Sequence, residues 1–254
     1  IAEKTALRIR AEKFEQVLFE NEAEAVILPF SEIEKHPEAI EKFGEKLFAE
    51  LPVLVFAFDE EKTRERLSVL YKKGLQHALC ENICTLRLAK DCGLTIHGGH
   101  GLNILNSLCL SEYEKLGVED ATLSFELSAP KIKHLGGKIR RGILGYGYLP
   151  LMRMRACPIK KTSGCKNCPG KGKIKDRMGK EFTYLCFERK FGTLLNSVPL
   201  VLDKGEDITA LDYAILHFTT ESEDEVAKTV KNYLNGTVCA EKDFTRGLYF
   251  RNVE

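Results

Sequence analysis

Short apolar runs alternate with longer amphipathic stretches along most of the chain, and this alternation predicts the architecture. Eight runs have strand length: Thr5 to Ile9, Ala25 to Pro29, Val53 to Phe58, Leu75 to Cys80, Leu94 to His97, Ala121 to Phe125, Lys138 to Gly145 and Leu211 to Phe218. The intervening stretches carry helical spacing. They are Phe14 to Phe19, Ser31 to Phe48, Glu60 to Lys73, Ile83 to Lys90, Leu105 to Leu116, Ser128 to His134 and Thr220 to Leu234. Asp59 is placed to cap its helix, Gly74 and Gly117 end theirs, and Thr220 or Ser222 caps the last. Strands that alternate with helices pair in parallel through crossover connections. Eight such units predict an α/β fold, a (β/α)8 TIM-like barrel, ahead of an open doubly wound sheet.

The rhythm breaks between Tyr148 and Asp207, a long stretch rich in Gly and Lys. We read residues 1–254 as a single barrel domain, with 148–207 as a Cys-rich, metal-binding insertion before the last strand. Such an insertion falls at the C-terminal face, where these barrels place their chemistry.

Composition supports a globular domain and changes little else. Of the 254 residues, 44% are hydrophobic and 30% charged, which excludes a disordered or fibrous chain. No apolar run approaches the roughly 20 residues that span a bilayer, so no membrane partner is expected. Ile1 to Arg10 is charged and has no signal-peptide core. The chain opens on Ile rather than Met, so a piece cut from a longer polypeptide is the expectation.

Nine cysteines, an odd number in a long chain, argue against a disulfide framework. Cys80, Cys84, Cys92, Cys109 and Cys239 sit singly among apolar residues and read as reduced, mostly buried small side chains. A cytoplasmic location follows. Cys157, Cys165, Cys168 and Cys186 are different, with the spacing C-x7-C-x2-C-x17-C. A C-x2-C pair offers two thiolates on one turn. Neighbouring Lys lowers thiol pKa, and Gly lets backbone approach a metal. Four thiolates suit an iron–sulfur cluster or a zinc ion, and the spacing alone leaves both open.

Charge is unevenly spread. Residues 131–180 hold 15 Lys and Arg and one acid, Asp176, a net +14; the other 204 residues carry −13, so the total is only +1. Such a segment fits an anionic partner, and RNA is the expected one. Arg153, Arg155, Lys160, Lys161, Lys166 and Arg177 are its anion-binding candidates. A solvated basic loop explains Lys160, Lys161, Lys171, Lys173 and Lys175 equally well.

Further candidates stand at predicted strand ends. His97-Gly98-Gly99-His100-Gly101 follows the fifth strand, where glycines admit a ligand close to backbone and histidines serve as acid, base or ligand. A tight turn with an incidental histidine is the alternative. Asn103 and Asn106 share a helix face and bind substrate or cap a turn. Glu126 ends the sixth strand, Tyr146 and Tyr148 the seventh, and His217 lies on the eighth as a candidate inward group or a core histidine. There is no nucleophile elbow, P-loop or HExxH. No catalytic residue is assigned.

Several runs carry a family resemblance: Gly145-Tyr146-Gly147-Tyr148-Leu149-Pro150-Leu151-Met152, Arg155-Ala156-Cys157-Pro158, Gly164-Cys165-Lys166-Asn167-Cys168, Asp176-Arg177-Met178-Gly179, Leu195-Asn196-Ser197-Val198-Pro199-Leu200 and Phe244 to Arg251. Ile96-His97 and Leu102 to Ser107 add to them. The chain resembles the collagenase-like peptidase family U32, and within it the C-terminal barrel of the longer bacterial members. The resemblance implies a barrel in which Cys157, Cys165, Cys168 and Cys186 hold a 4Fe–4S cluster. Members are labelled peptidases, and several are linked to dioxygen-independent hydroxylation of transfer or ribosomal RNA bases or of a quinone precursor. Cys157 comes later than the family's first cysteine, and the eighth-strand motif stands here as Leu216-His217-Phe218-Thr219. The expected function is therefore an iron–sulfur-dependent RNA base hydroxylation enzyme, or its cluster-bearing domain beside an N-terminal barrel of the same polypeptide. A metal-dependent peptidase and a non-catalytic, metal-stabilised RNA- or partner-binding barrel are the alternatives.

Overall fold

The computed structural model describes residues 5–19, 22–160, 164–166, 168–202, 211–237 and 243–251. Eight parallel strands close a barrel: β1 (Ala6–Ala11), β2 (Ala25–Pro29), β3 (Leu47–Glu50), β4 (His77–Cys80), β5 (Thr95–Gly98), β6 (Val118–Thr122), β7 (Arg140–Gly147) and β13 (Tyr213–Phe218). They pair in chain order, and β13 closes the ring between β7 and β1. The chain is thus an α/β TIM-like barrel. Helices α1 (Phe30–Lys35), α2 (Glu38–Phe43), α3 (Glu60–Lys72), α4 (Ile83–Asp91), α5 (Ser107–Lys115), α6 (Ala129–Lys133) and α7 (Glu223–Leu234) follow the strands. The last begins at Ser222, whose hydroxyl accepts from the Glu225 N–H while Glu225 reaches back to the Ser222 N–H. Among the described residues no helix is long and apolar enough to cross a membrane.

Two expected elements move. Val53 to Phe58 is not the third strand. That strand is Leu47–Glu50, and the apolar run after it lies in a loop along the barrel mouth. The single helix expected over Ser31 to Phe48 divides at Pro37 into α1 and α2, and Gly44, at φ 54°, turns the chain out of α2. The sixth strand also starts three residues earlier than its apolar run, at Val118.

Strand alternation places Ile9 and Leu216 outward under the helices and Arg8, Arg10 and His217 inward. Most inward positions near the N-terminal half are polar. Arg8 donates to Asp120 at 2.9 and 2.6 Å and to Glu24 at 2.7 and 3.1 Å. Its guanidinium lies 3.6 Å from the centre of the Tyr213 ring. His97 contacts Asp120 through Nδ1 at 2.9 Å and His77 through Nε2 at 3.1 Å, and its ring stacks on Phe48. Burial alone would raise the Asp120 carboxyl, but the bonds from His97 and Arg8 hold it below the ordinary carboxylate range.

After β7 the chain leaves the barrel and builds a second sheet. Its antiparallel strands are β8 (Pro150–Met154), β9 (Lys171–Lys175), β10 (Glu181–Phe187) and β11 (Phe191–Leu195), ordered β8-β11-β10-β9. A short β12 (Leu200–Val201) then returns antiparallel to β7. Ion pairs fix this sheet across the barrel mouth. Arg66 on α3 holds Glu188 at 2.9 Å, and Lys190 reaches Asp59 at 3.1 Å. Glu188 and Arg189 occupy the turn between β10 and β11 with φ of 49° and 60°, a left-handed conformation that ordinary side chains adopt at a cost.

Asp120→Ala leaves Arg8 with a buried, half-compensated charge. It is expected to lower the unfolding free energy by about 3–5 kcal/mol in urea titrations near neutral pH. The wild type's advantage should shrink as pH falls below about 4, because a carboxyl depressed in the folded state loses its contribution as it protonates. A loss under about 1 kcal/mol at neutral pH, within the range of an exposed pair, contradicts a bracing role.

Candidate functional site

The barrel mouth and the second sheet enclose a cavity of about 690 Å³. Its floor is charged. Arg10 donates two bonds to Glu50, at 2.8 and 2.6 Å, and one to Glu81, at 2.8 Å. Glu81 also accepts the Gly101 N–H at 2.5 Å. The glycines of the His97 to Gly101 segment serve this carboxylate rather than a ligand: a Cβ at Gly99 would sit 2.6 Å from the Glu81 carboxyl carbon, and one at Gly101 would collide with Oε2. Burial opposes the Glu81 charge, but His100, Arg10, the Gly101 N–H and Arg153 outweigh it and bring the carboxyl down to about 2.

Two histidines complete the floor. His100 and His217 are 6% and 8% exposed, both line the cavity, and the Nε2 of each has no hydrogen-bond partner among the described residues. Burial pulls His100 down to about 4 and His217, with help from Arg10, down to about 3, so both rings are neutral at pH 7. Glu12 follows β1 and places Oε1 3.5 Å from His217 Nε2. Burial pushes Glu12 up to about 7, against the pull of Arg10 and Lys13. Buried nitrogens without partners and a carboxyl that titrates near neutrality mark an acid–base site.

The second sheet roofs the cavity with Leu185, Phe187, Phe191 and Thr193, and strand alternation turns Cys186, between Leu185 and Phe187 on β10, to the sheet's other face. Pro169 and Gly170, in the loop before β9, reach the cavity edge. The Cys186 N–H donates to the Gly170 carbonyl at 2.7 Å, which ties the Cys165-to-Cys168 loop to the sheet. Burial raises the Cys186 thiol, the Arg189 N–H opposes this, and Cys157, Cys168 and Cys165 each add to the rise. All four sulfurs are therefore near enough to interact electrostatically. The buried Tyr184 hydroxyl bonds to Cys157, and burial together with the cysteines pushes that hydroxyl up to about 12. Its ring crosses Gly192 on β11, where a Cβ would collide with the phenol and meet the Leu185 carbonyl at 2.7 Å.

The cysteines are half-buried and free. Tetrahedral zinc, with Zn–S near 2.3 Å, needs sulfurs about 3.8 Å apart. No three of the four sulfurs fall mutually within 4.8 Å, a limit that only Glu15, Glu32 and His36 meet among the described residues. That trio has a bland explanation, since Glu32 is already neutralised by Lys35 at 3.0 Å.

Other expected residues scatter. Arg153, on β8, lines the cavity, makes no hydrogen bond or ion pair among the described residues, and projects its charge onto Glu81 and His100. Arg155 covers the Phe56 ring at 4.9 Å. Lys160, Lys166 and Arg177 are exposed outside the cavity, while Lys161 and Cys239 lie outside the described residues. His97 is buried in the lower network, away from the cavity. Asn106 caps α5 by accepting the Cys109 N–H, and Asn103 stands exposed at φ 51°. Glu126 lies exposed in the turn after β6 rather than at the strand's end. Tyr146 donates to Glu221 at 3.2 Å, and Tyr148 reaches the cavity. Cys80 is the buried member of the single cysteines; Cys84, Cys92 and Cys109 are partly exposed. Arg10, Glu12, Glu50 and Glu81 were not anticipated, although Glu12 and Glu81 directly follow strands.

These features define a barrel with a roofed, acid–base-bearing mouth. One solved structure with this fold is that of the U32 peptidase Mk0906, which aligns over 86% of this chain and 93% of its own at a TM-score of 0.50 and 9% identity. At that identity the likeness concerns the fold. No protein-family model matches the chain, and no curated protein matches it in sequence.

Gly192→Ala is expected to displace Tyr184 and cost about 1–3 kcal/mol of stability in denaturant titrations. An unchanged midpoint contradicts the packing of Tyr184 over this glycine.

Proposed function

We propose that the chain is a U32-type barrel protein that hydroxylates RNA bases with a 4Fe–4S cluster held by Cys157, Cys165, Cys168 and Cys186. One observation carries the reading: the four cysteines gather within electrostatic reach of one another on the sheet that roofs the acid–base cavity. The donor set fits the group. Four free thiols spaced more widely than zinc requires, beside a tyrosine hydroxyl and in a segment of net +14, suit an anionic cluster. When bound, the cluster supplies one-electron redox chemistry or a Lewis-acidic iron. This chain's residues orient the substrate, exclude water and move protons at Glu12 and His217. RNA is the proposed partner, approaching along Arg153, Arg155, Lys160, Lys166 and Arg177, and a reducing cytoplasm the proposed compartment. An N-terminal barrel of a longer polypeptide is a further proposed partner.

Nucleoside mass spectrometry of cellular RNA tests this. Deletion of the protein should remove a base carrying one extra oxygen, wild type should restore it, and Cys186→Ser should not. Identical RNA in all strains overturns the reading. The name of the structural neighbour favours a second reading, a peptidase. Cleavage of denatured collagen or casein that persists in Cys186→Ser and is lost in Glu12→Gln would support it.

A further inference from the structure

We propose that Glu12, paired with His217, is the proton donor and acceptor of the barrel-mouth cavity. It would act on an oxygen of a bound molecule held by His100 Nε2 and the Arg153 guanidinium. The inference rests on the cavity floor and stands whether or not the thiols carry metal.

His100 Nδ1 lies 3.5 Å from Arg10 Nη1, a donor, and 3.5 Å from Glu81 Oε1, an acceptor. Its Nε2 is buried in the cavity lining without a hydrogen-bond partner among the described residues. A buried polar nitrogen left open in a cavity is costly unless a ligand meets it. The Arg153 guanidinium adds a cationic donor over the same floor and selects an oxygen-rich ligand.

Glu12 is set apart from the other acids of the floor. Arg10 is engaged by Glu50 and Glu81, and the Glu81 carboxyl is held down to about 2. Glu12 keeps only 16% side-chain exposure, faces His217 across 3.5 Å, and receives no direct bond from Arg10 among the described residues. The groups around the pair are Arg10 on β1, Lys13 beside it, Glu32 on α1, Glu50 on β3, and Glu81 and His100 above β4 and β5. In the step we infer, the proton leaves a Glu12 carboxyl oxygen for the ligand oxygen, and the carboxylate left behind faces Arg10 and Lys13. The reverse transfer restores the acid. His217, neutral and with Nε2 3.5 Å from Glu12 Oε1, is placed to hold the proton in passage.

Dicyclohexylcarbodiimide, which adds to protonated carboxyls in apolar surroundings, tests this on the full chain at measured iron content, followed by peptide mapping from pH 5 to 9. Glu12 labelling should be strong at pH 5 and fall with a midpoint near 7, while Glu81 stays unlabelled. The carbon-13 resonance of the Glu12 carboxyl should give the same midpoint if the reagent enters poorly. His217→Phe should move that midpoint, and Tyr146→Phe, outside the cavity, should not. A Glu12 midpoint in the ordinary carboxylate range, or one indifferent to His217→Phe, overturns the proposal. Either result is read independently of iron, so it stays separate from failure of the cluster reading.

Discussion

One guanidinium organises the working end of this barrel. Arg10 points into the mouth and is gripped by Glu50 from β3 and Glu81 from the end of β4. Burying a charge without partners is prohibitive, so both acids are needed beside it. Glu81 in turn needs the Gly101 N–H and the bare backbone of Gly99 and Gly101 to fit. With the strong anions spent on Arg10, the remaining floor groups are left with shifted protonation. Glu12 stays near neutrality, and His100 and His217 stay uncharged. The same arrangement that stabilises the mouth therefore fits the proton transfer proposed for it.

The second sheet closes the space above. It is anchored by Arg66 to Glu188 and by Lys190 to Asp59, and β10 turns Leu185 and Phe187 toward the cavity and Cys186 to the opposite face. A short hydrogen bond from Cys186 to Gly170 and the Tyr184 contact with Cys157 gather the remaining cysteines around that strand. The cysteines thus gather on the sheet that roofs the acid–base groups.

Eight repeating units were legible in the order of strand and helix signals, because each signal is local. The third strand was not. Leu47–Glu50 ends in a charged residue that turns inward to meet Arg10, whereas the more apolar Val53 to Phe58 lines a loop at the mouth. Periodicity favours the greasier run because it cannot see a buried ion pair. The cysteine set was legible for the same local reason as the strands, through its spacing. The floor was hidden because its partners are 40 and 71 residues apart in sequence and meet only when the barrel closes. His97 drew attention beside two glycines, but its partner is Asp120 in the lower layer. The unpaired polar residues just after β1 and β4 were the available signal for Glu12 and Glu81.

Metal content settles the central proposal most directly, namely that Cys157, Cys165, Cys168 and Cys186 hold an iron–sulfur cluster on the sheet that roofs the cavity. Protein purified without oxygen should carry about four irons and about four acid-labile sulfides per chain, with broad thiolate-to-iron absorption. The cluster should be lost in Cys165→Ser and Cys168→Ser. One zinc per chain with no sulfide, from the same anaerobic preparation, would contradict the account.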